Sequence, residues 1–349
     1  MSEPEIVFSQ RGAIGHVLLN RPKALNALTL DMAIKLRGQL KSWADDDTIA
    51  AVIVEGAGEK GFCAGGDIRW LHDTGKADPA AGAQFFREEY LTDAAVYHFP
   101  KPYLAFIDGI VMGGGVGISI HGSHRIAGDR TLFAMPETGI GLFPDVGGSY
   151  FLPKMPGHLG MFLGLTGARL KAADSLYAGV ATHTIPSDKQ AGVIADLCAN
   201  ASTKAQINDV LSHAHEDPGA AAIAALQGEI DRHFDGADVR SILTELDQDE
   251  SEWAQKQASI LRSKSPTSLK VTFEQLTRGA SMSFNDVMRM EMRMAARVMQ
   301  GHDFYEGVRA TIFEKGETPQ WHPARIEDVT QDMVDAYFAP LGGDELDLP

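Results

Sequence analysis

The sequence predicts an α/β fold. Three observations carry that prediction. Short β-branched runs alternate with helical patterns through the first half, glycine gathers at the junctions between them, and helical periodicity then takes over almost to the end. Ile14 to Asn20 (IGHVLLN), Ala51 to Glu55 (AVIVE) and Tyr103 to Asp108 (YLAFID) read as strands, each bounded by Gly, Pro or charge. Between the first two, the spacing predicts a helix from about Thr29 to Asp45. Thr29 is its N-cap, and Leu30, Ile34, Leu36, Leu40 and Trp43 supply its apolar side. A second helix is predicted over Pro79 to His98. After about Ser187, strand-like runs disappear, and Pro218, Pro266, Pro319 and Pro323 mark breaks between helices. In this reading residues 1–190 form an α/β core that carries the site. Residues 191–349 form an all-helical region that packs on the core or builds an oligomer contact.

Bulk properties narrow the function. A chain of 349 residues with a net charge of −16 lacks the positive field that nucleic-acid or anionic-membrane binding requires, though a local basic pocket for a phosphorylated ligand remains open. Its two cysteines, Cys63 and Cys198, lie far apart and form no CxxC, which argues against a disulfide framework or structural zinc and for a reducing compartment. The first residues, MSEPEIVFSQRG, open acidic and lack an apolar run, unlike a signal or transit peptide. No stretch approaches the roughly 18 apolar residues of a membrane span. The expectation is a soluble, cytoplasmic protein that binds no nucleic acid and no membrane.

Three glycine-rich motifs carry the chemistry. In GIVMGGGVGISIHG (Gly109 to Gly122), consecutive glycines precede a helical pattern and leave bare amides at a helix start, suited to an anion or a developing oxyanion. Close packing of that helix on a sheet explains the glycines equally well. The motif is not a dinucleotide fingerprint, since Ile118 stands where the third glycine belongs, nor a GxSxG elbow. FCAGGDI (Phe62 to Ile68) is a second such turn, with amides at Ala64, Gly65 and Gly66, and with Asp67 placed to cap the next helix. Two loops of this kind can each give one N–H to a single carbonyl oxygen, and losing one such donor costs about 100- to 1000-fold in rate. The third motif, FAMPETGIGLFPDVGGSYFLP (Phe133 to Pro153), sets Glu137 and Asp145 in apolar surroundings, where a carboxylate needs a partner or a task.

Together with NRPKALNALTLDM (Asn20 to Met32), these motifs resemble the crotonase (enoyl-CoA hydratase/isomerase) superfamily. Within it, MPETGIGLFPDVGGSYFLP, FFREEY (Phe85 to Tyr90), SPTSLKVT (Ser265 to Thr272) and DFYEGVRA (Asp303 to Ala310) are similar to the 3-hydroxyisobutyryl-CoA hydrolases. The resemblance runs from about residue 5 to 325. It implies a crotonase-like spiral of ββα turns with a helical C-terminal region that commonly trimerises, so a homo-oligomer, trimer or hexamer, is expected. It implies an acyl-CoA substrate whose thioester carbonyl sits between the amides of Gly66 and Gly114, with CoA part of the substrate and no separate cofactor or metal. Hydratases of the superfamily use two glutamates. One matches Glu137, but the other falls at Gly117, which speaks against hydration. The hydrolase pattern carries over Glu137 as catalytic carboxylate, Asp145 as its partner and Glu89 as a substrate-pocket residue. The CoA moiety is pointed to Lys23 and the backbone around Ala24, Leu25, Ala64, Asp67 and Ile68. The implied reaction is hydrolysis of a short 3-hydroxyacyl-CoA, with 3-hydroxyisobutyryl-CoA of valine breakdown the first choice. A hydratase or isomerase and a non-catalytic acyl-CoA-binding protein are the alternatives.

Other residues read more simply. His121 and His124 have no third ligand nearby and read as packed or hydrogen-bonded histidines. Cys63 reads as a small buried residue, and Met288, Met292 and Met299 as core or interface. Lys270 and Arg69 read as surface ion-pairing groups before CoA ligands.

Overall fold

The computed structural model describes residues 3–348, and its strands sort into two sheets. β1 (Ile6–Arg11) and β2 (Ile14–Leu19) pair antiparallel, with Ile6 opposite Leu19. β3 (Ala51–Gly56) lies parallel to β2, with Ile14 opposite Ala51. β4 (Gly61–Cys63) then leaves for a second, small sheet. The pattern repeats with β5 (Tyr103–Phe106) and β6 (Ile110–Met112), and again with β7 (His124–Ala127) and β8 (Leu132–Ala134). β9 (His183–Thr184) completes the large sheet, whose order is β1-β2-β3-β5-β7-β9; the small sheet runs β4-β6-β8. Alternation of successive strands between two sheets, with helices between turns, is the spiral of ββα turns that the family resemblance implied.

Two compact units interleave along the chain. The first comprises Met1–Gly66, Leu91–Phe133 and Arg169–Ala225; the second comprises Asp67–Tyr90, Ala134–Ala168 and Leu226–Pro349. The sequence placed one boundary near residue 190, and the change to purely helical structure does begin at Ser187. The units, by contrast, each draw on three separate stretches.

In the first unit, α1 (Leu30–Ala44) begins as expected: the Thr29 hydroxyl accepts from the Met32 amide at 3.2 Å. Its buried face is Met32, Ala33, Leu36, Leu40 and Trp43, and Ile34 is 43% exposed. The buried positions step by three and four, and Ile34, two places from both Met32 and Leu36, falls on the opposite side. A Cβ at Gly15 would sit 2.8 Å from the Trp43 ring, so glycine on β2 makes room for that indole. The large sheet buries Ile14, Ile53, Leu104, Phe106 and Ile126 against Ile194 and Leu197 of the helix Ser187–Asn200 and Ile207 and Leu211 of the helix Lys204–Ala214.

The second unit is mainly helical and includes α2 (Ile68–Ala77) and the first part of α3 (Pro79–Tyr97). Pro266 starts the helix Pro266–Gly279 rather than merely breaking one, with Ser265 accepting from the Ser268 amide as its cap. The helix Phe284–Val298 buries Met288, Met290, Met292 and Met294, so the Met-rich stretch is core. No helix among the described residues is long and apolar enough to cross a membrane.

Ile53 is fully buried in the centre of the large sheet. Ile53→Ala is expected to lower unfolding stability by about 2–5 kcal/mol, measured by chemical denaturation of the purified protein.

Candidate active site

Glu137 follows β8 through Met135 and Pro136 and opens a short 3-10 turn, Glu137–Ile140. The turn closes on Gly141 at φ +71, where a Cβ would lie 2.2 Å from the backbone of Asp303, so only glycine serves there. Asp145 lies eight residues further on, just before the left-handed pair Val146 (φ +52) and Gly147 (φ +83). A β-branched residue in that region is a genuine outlier, costing about 1–3 kcal/mol. α3 brings Glu89 and Tyr90 to the same acids. All of this belongs to the second unit.

The three carboxyl groups are all but sealed from solvent: Glu89 is 3%, Glu137 4% and Asp145 3% exposed. The Tyr90 hydroxyl donates to Asp145 Oδ2 at 3.0 Å. Glu89 Oε1 and Glu137 Oε2 find no hydrogen-bond partner among the described residues. Unsatisfied buried acceptors mark places where water or a ligand supplies the missing donor.

Electrostatics follow from this burial. Glu89 is pushed well above the usual carboxylate range, first by desolvation and then by Asp145 and Glu137. Glu137 is likewise raised well above that range, by desolvation and then by Asp145, against the pull of its own amide and of Lys264. Asp145 is pushed up to about 7 by burial, while the Tyr90 hydrogen bond and its own amide resist. Three acids in mutual repulsion titrate as one system, carrying fewer than three negative charges near neutrality. Bases poised near working pH are efficient proton acceptors.

Lys264, at the end of the helix Glu252–Ser263, supplies the cation of this group. A Cβ on Gly139, in the Glu137 turn, would lie 3.2 Å from its Nζ. Burial pulls the Lys264 ammonium below its usual range, and Glu137 pulls it back up.

The first unit holds the other predicted residues. The Ala64–Gly66 loop lies against the Gly113–Gly114 turn: a Cβ on Gly65 would be 3.4 Å from the Met112 carbonyl oxygen and 3.8 Å from the Gly114 amide. α4 (Gly114–Ile120) begins at Gly114, so that amide has no helical carbonyl before it to receive its hydrogen bond. A Cβ on Gly115 would lie 2.1 Å from the Cys63 carbonyl oxygen. Close packing therefore holds for this motif, and its first helical amide is left without a helical acceptor.

Gly117 has a specific neighbour. A Cβ there would sit 2.4 Å from Asp93 Oδ1, and Asp93 is fully buried. The space in which a hydratase-type glutamate would start is occupied by another acid.

Lys23 and Leu25 line a cleft of about 280 Å³ with Pro22, Asn26, Gly58 and Lys60, also in the first unit. Leu25 and Asn26 both take left-handed backbone (φ +51 and +56). The buried Asn26 side chain holds that shape, accepting from the Arg21 amide at 2.9 Å and donating to the carbonyls of Ala57 and Gly61. The Ala64 amide donates to the Leu25 carbonyl, joining two of the expected positions.

In the second unit Asp67 caps α2, accepting from the Trp70 amide at 3.3 Å, and Ile68 is that helix's first residue. Lys270 donates to the Val329 carbonyl and Arg69 to the Ile312 carbonyl, so both have local structural partners. His124 bonds Ser123 and Asn208, as a packed histidine does. Among the described residues, Glu229, His233 and Asp249 alone have donor atoms close enough to share a metal ion, within 4.8 Å of one another. There Arg232 already pairs with Asp249.

Sequence reading passed over Tyr90, Lys264 and Glu291. Tyr90 ends FFREEY, Lys264 stands one residue before SPTSLKVT, and Glu291 lies between Met290 and Met292. A lone acid inside a buried methionine stripe was the available signal for the last.

Residues 14–338 match the enoyl-CoA hydratase/isomerase family, and the chain belongs to it. It is 49% identical to the mitochondrial 3-hydroxyisobutyryl-CoA hydrolase of Danio rerio, over 99% of this chain and 91% of that one. It is 47% identical to the Xenopus tropicalis enzyme of the same name (100% and 92% covered) and 45% identical to the human one (98% and 90%). Its fold matches a carnitinyl-CoA dehydratase from Mycobacterium thermoresistibile at TM-score 0.94, with 38% identity and 99% of both chains covered. An enoyl-CoA hydratase from Rhodobacter sphaeroides 2.4.1 matches at 0.91, with 36% identity, 99% of this chain and 100% of that one covered. The cytoplasmic expectation is overturned here, since these sequence relatives are named as mitochondrial enzymes. It rested on composition and few cysteines, which indicate a reducing interior and do not distinguish one such compartment from another.

Two predictions come from this geometry. Asp145 has a folded pKa of about 7, above its unfolded value of about 3.9, so burial favours its protonated form. Its contribution to stability is therefore complete below about pH 4 and is lost as pH rises through 7. Asp145→Asn is expected to stabilise the protein by roughly 2–4 kcal/mol at pH 8 and far less at pH 5, read from denaturation midpoints at the two pH values. Gly117→Glu is expected to yield no hydratase. Its clash with Asp93 should instead lower the melting temperature by several degrees, as for overpacking costs of about 1–3 kcal/mol.

Proposed function

We propose that this chain hydrolyses a short 3-hydroxyacyl-CoA thioester, with 3-hydroxyisobutyryl-CoA as substrate and 3-hydroxyisobutyrate and CoA as products. The step belongs to valine breakdown. The observation that carries this reading is the Gly117–Asp93 contact. It removes the second glutamate of hydration, and the buried acids Glu137, Asp145 and Glu89 remain. The near full-length similarity to enzymes named 3-hydroxyisobutyryl-CoA hydrolase supports the same choice.

Thioester hydrolysis needs a polarised carbonyl, a delivered nucleophile and a leaving thiolate. Water oxygen bonds to the acyl carbon, the carbon–sulfur bond breaks with its electrons on sulfur, and a proton passes from water to the thiolate. The balance calls for no redox group or further co-reactant. In the proposed roles, the amides of Gly66 and Gly114 stabilise the carbonyl oxygen as it gains charge. Glu137, with its raised proton affinity, takes the proton of the attacking water. Asp145, held by Tyr90, accepts from the substrate's 3-hydroxyl, and Glu89 lines the acyl pocket. The nucleotide end of CoA is assigned to the cleft of Lys23 and Leu25 and to the Ala64 backbone, with Asp67 and Ile68 shaping the start of α2.

The runner-up is an enoyl-CoA hydratase, which the name of the Rhodobacter sphaeroides neighbour favours. One assay separates the readings: incubation with 3-hydroxyisobutyryl-CoA and with crotonyl-CoA, following free thiol and the enoyl absorbance. Thiol release from the first, reduced about 100- to 10,000-fold by Glu137→Gln, is the expected result. Isobutyryl-CoA, lacking the hydroxyl, should react about four orders of magnitude more slowly. Loss of enoyl absorbance without thiol release from either ester would make the protein a hydratase.

A further inference from the structure

Immediately after Asp145 the backbone makes two left-handed steps, at Val146 and Gly147. Glycine adopts that conformation freely, whereas a β-branched residue resists it. Val146 is fully buried and so cannot relax into solvent. The short helix Gly148–Phe151 begins at this turn with no side-chain cap of its own. What meets the open amides is Glu291, from the helix Phe284–Val298. The Gly147 amide donates to its Oε2 at 2.7 Å, and the Ser149 amide donates to its Oε1 at 2.9 Å.

Glu291 is completely buried, and no lysine, arginine or histidine pairs with it among the described residues. A buried carboxylate without a counter-ion is a poor way to gain stability, since an apolar residue of similar size does better. Its placement makes sense if the turn it grips has a task. That turn carries Asp145, whose carboxylate meets the Tyr90 hydroxyl.

We propose that Glu291 is a positioning residue for Asp145: its two-point grip on the amides of Gly147 and Ser149 holds the strained Val146 turn closed and fixes the Asp145 carboxylate against Tyr90. The proposal rests on the hydrolase reading of the site. A carboxyl group presents two oxygens, one to each amide, whereas a primary amide presents one. Burial raises the proton affinity of Glu291, which reaches about 8; the Gly147 amide and the hydroxyl and amide of Ser149 oppose the rise, and Asp145 adds a little to it. The titratable groups that face it are Asp145 and the Tyr90 hydroxyl.

The test is thiol release from 3-hydroxyisobutyryl-CoA by the full chain and three variants: Glu291→Gln, Val146→Gly and the pair together. Gln keeps the size but offers one acceptor, so E291Q is expected to lower kcat about 10- to 100-fold with KM within about threefold. V146G alone should stay close to the parent. In the double variant glycine takes the left-handed turn unaided, so kcat should return to within a few-fold of V146G. A purely structural role for Glu291 predicts no such rescue, because loosening a second buried position would add to the damage. If E291Q does not fold, Glu291→Asp, one methylene shorter, replaces it with the same expected pattern. Full activity in the Glu291 variant, or a loss that V146G fails to relieve, overturns the proposal. If the parent releases no thiol from any 3-hydroxyacyl-CoA, the functional reading fails first and the positioning role falls with it.

Discussion

Placing several carboxyl groups out of water within reach of one another is the constraint on which the second unit depends. Each such group loses hydration, and each negative charge formed makes the next harder to form. The structure answers with few and specific compensations. A phenol meets Asp145, a half-buried ammonium attracts Glu137, and two backbone amides hold Glu291. None of these neutralises the group completely. What remains is a set of acids whose proton affinities stand above the usual carboxylate range, where a carboxyl group is a better proton acceptor. An ordinary exposed glutamate cannot serve water in that way, because it is too weak a base.

The first unit solves a different problem by different means. There the groups proposed to act are backbone amides, which do not titrate and need only be held still. Rigidity comes from close approach: side chains are removed so that one loop touches the next. Gly115 against Cys63 is a contact that any larger residue would break, and Gly65 holds a backbone at φ +108 that larger residues resist. Asn26 does the same work for the Leu25 turn with its amide group, which bridges three backbone sites. Gly117 shows how such packing also selects chemistry. Once Asp93 fills the adjacent space, the position has lost its capacity to carry a second catalytic acid.

Much of this was legible in the residues, for physical reasons that differ by element. α1 announced itself through a capping threonine and a three-four apolar spacing, because both effects are local to the helix. Ile34 was misplaced on it because an apolar residue is not obliged to be buried. Glu137 and Asp145 stood out as charges in apolar surroundings. Tyr90, Lys264 and Glu291 did not, because their significance lies in contacts 55 to 144 positions away: Asp145 is 55 residues from Tyr90, and Glu291 is 144 residues from Gly147. The interleaving of the two units was invisible for the same reason. Composition registers where strands stop, at about Ser187, but not which distant stretches pack together.

Stability and chemistry pull these acids in opposite directions. A carboxyl group whose folded-state proton affinity is raised stabilises the protein most when it is protonated, and least when it is ionised. Proton abstraction from water, the role proposed for Glu137, requires the ionised form. The conditions under which the site is competent are thus those under which it weakens the fold. Apolar groups of similar size would serve stability better than these acids do. Tyr90 and Lys264 fit the same logic. Each lowers the proton affinity of one acid, Asp145 or Glu137, and so moves ionisation toward conditions in which the fold still has stability to spare.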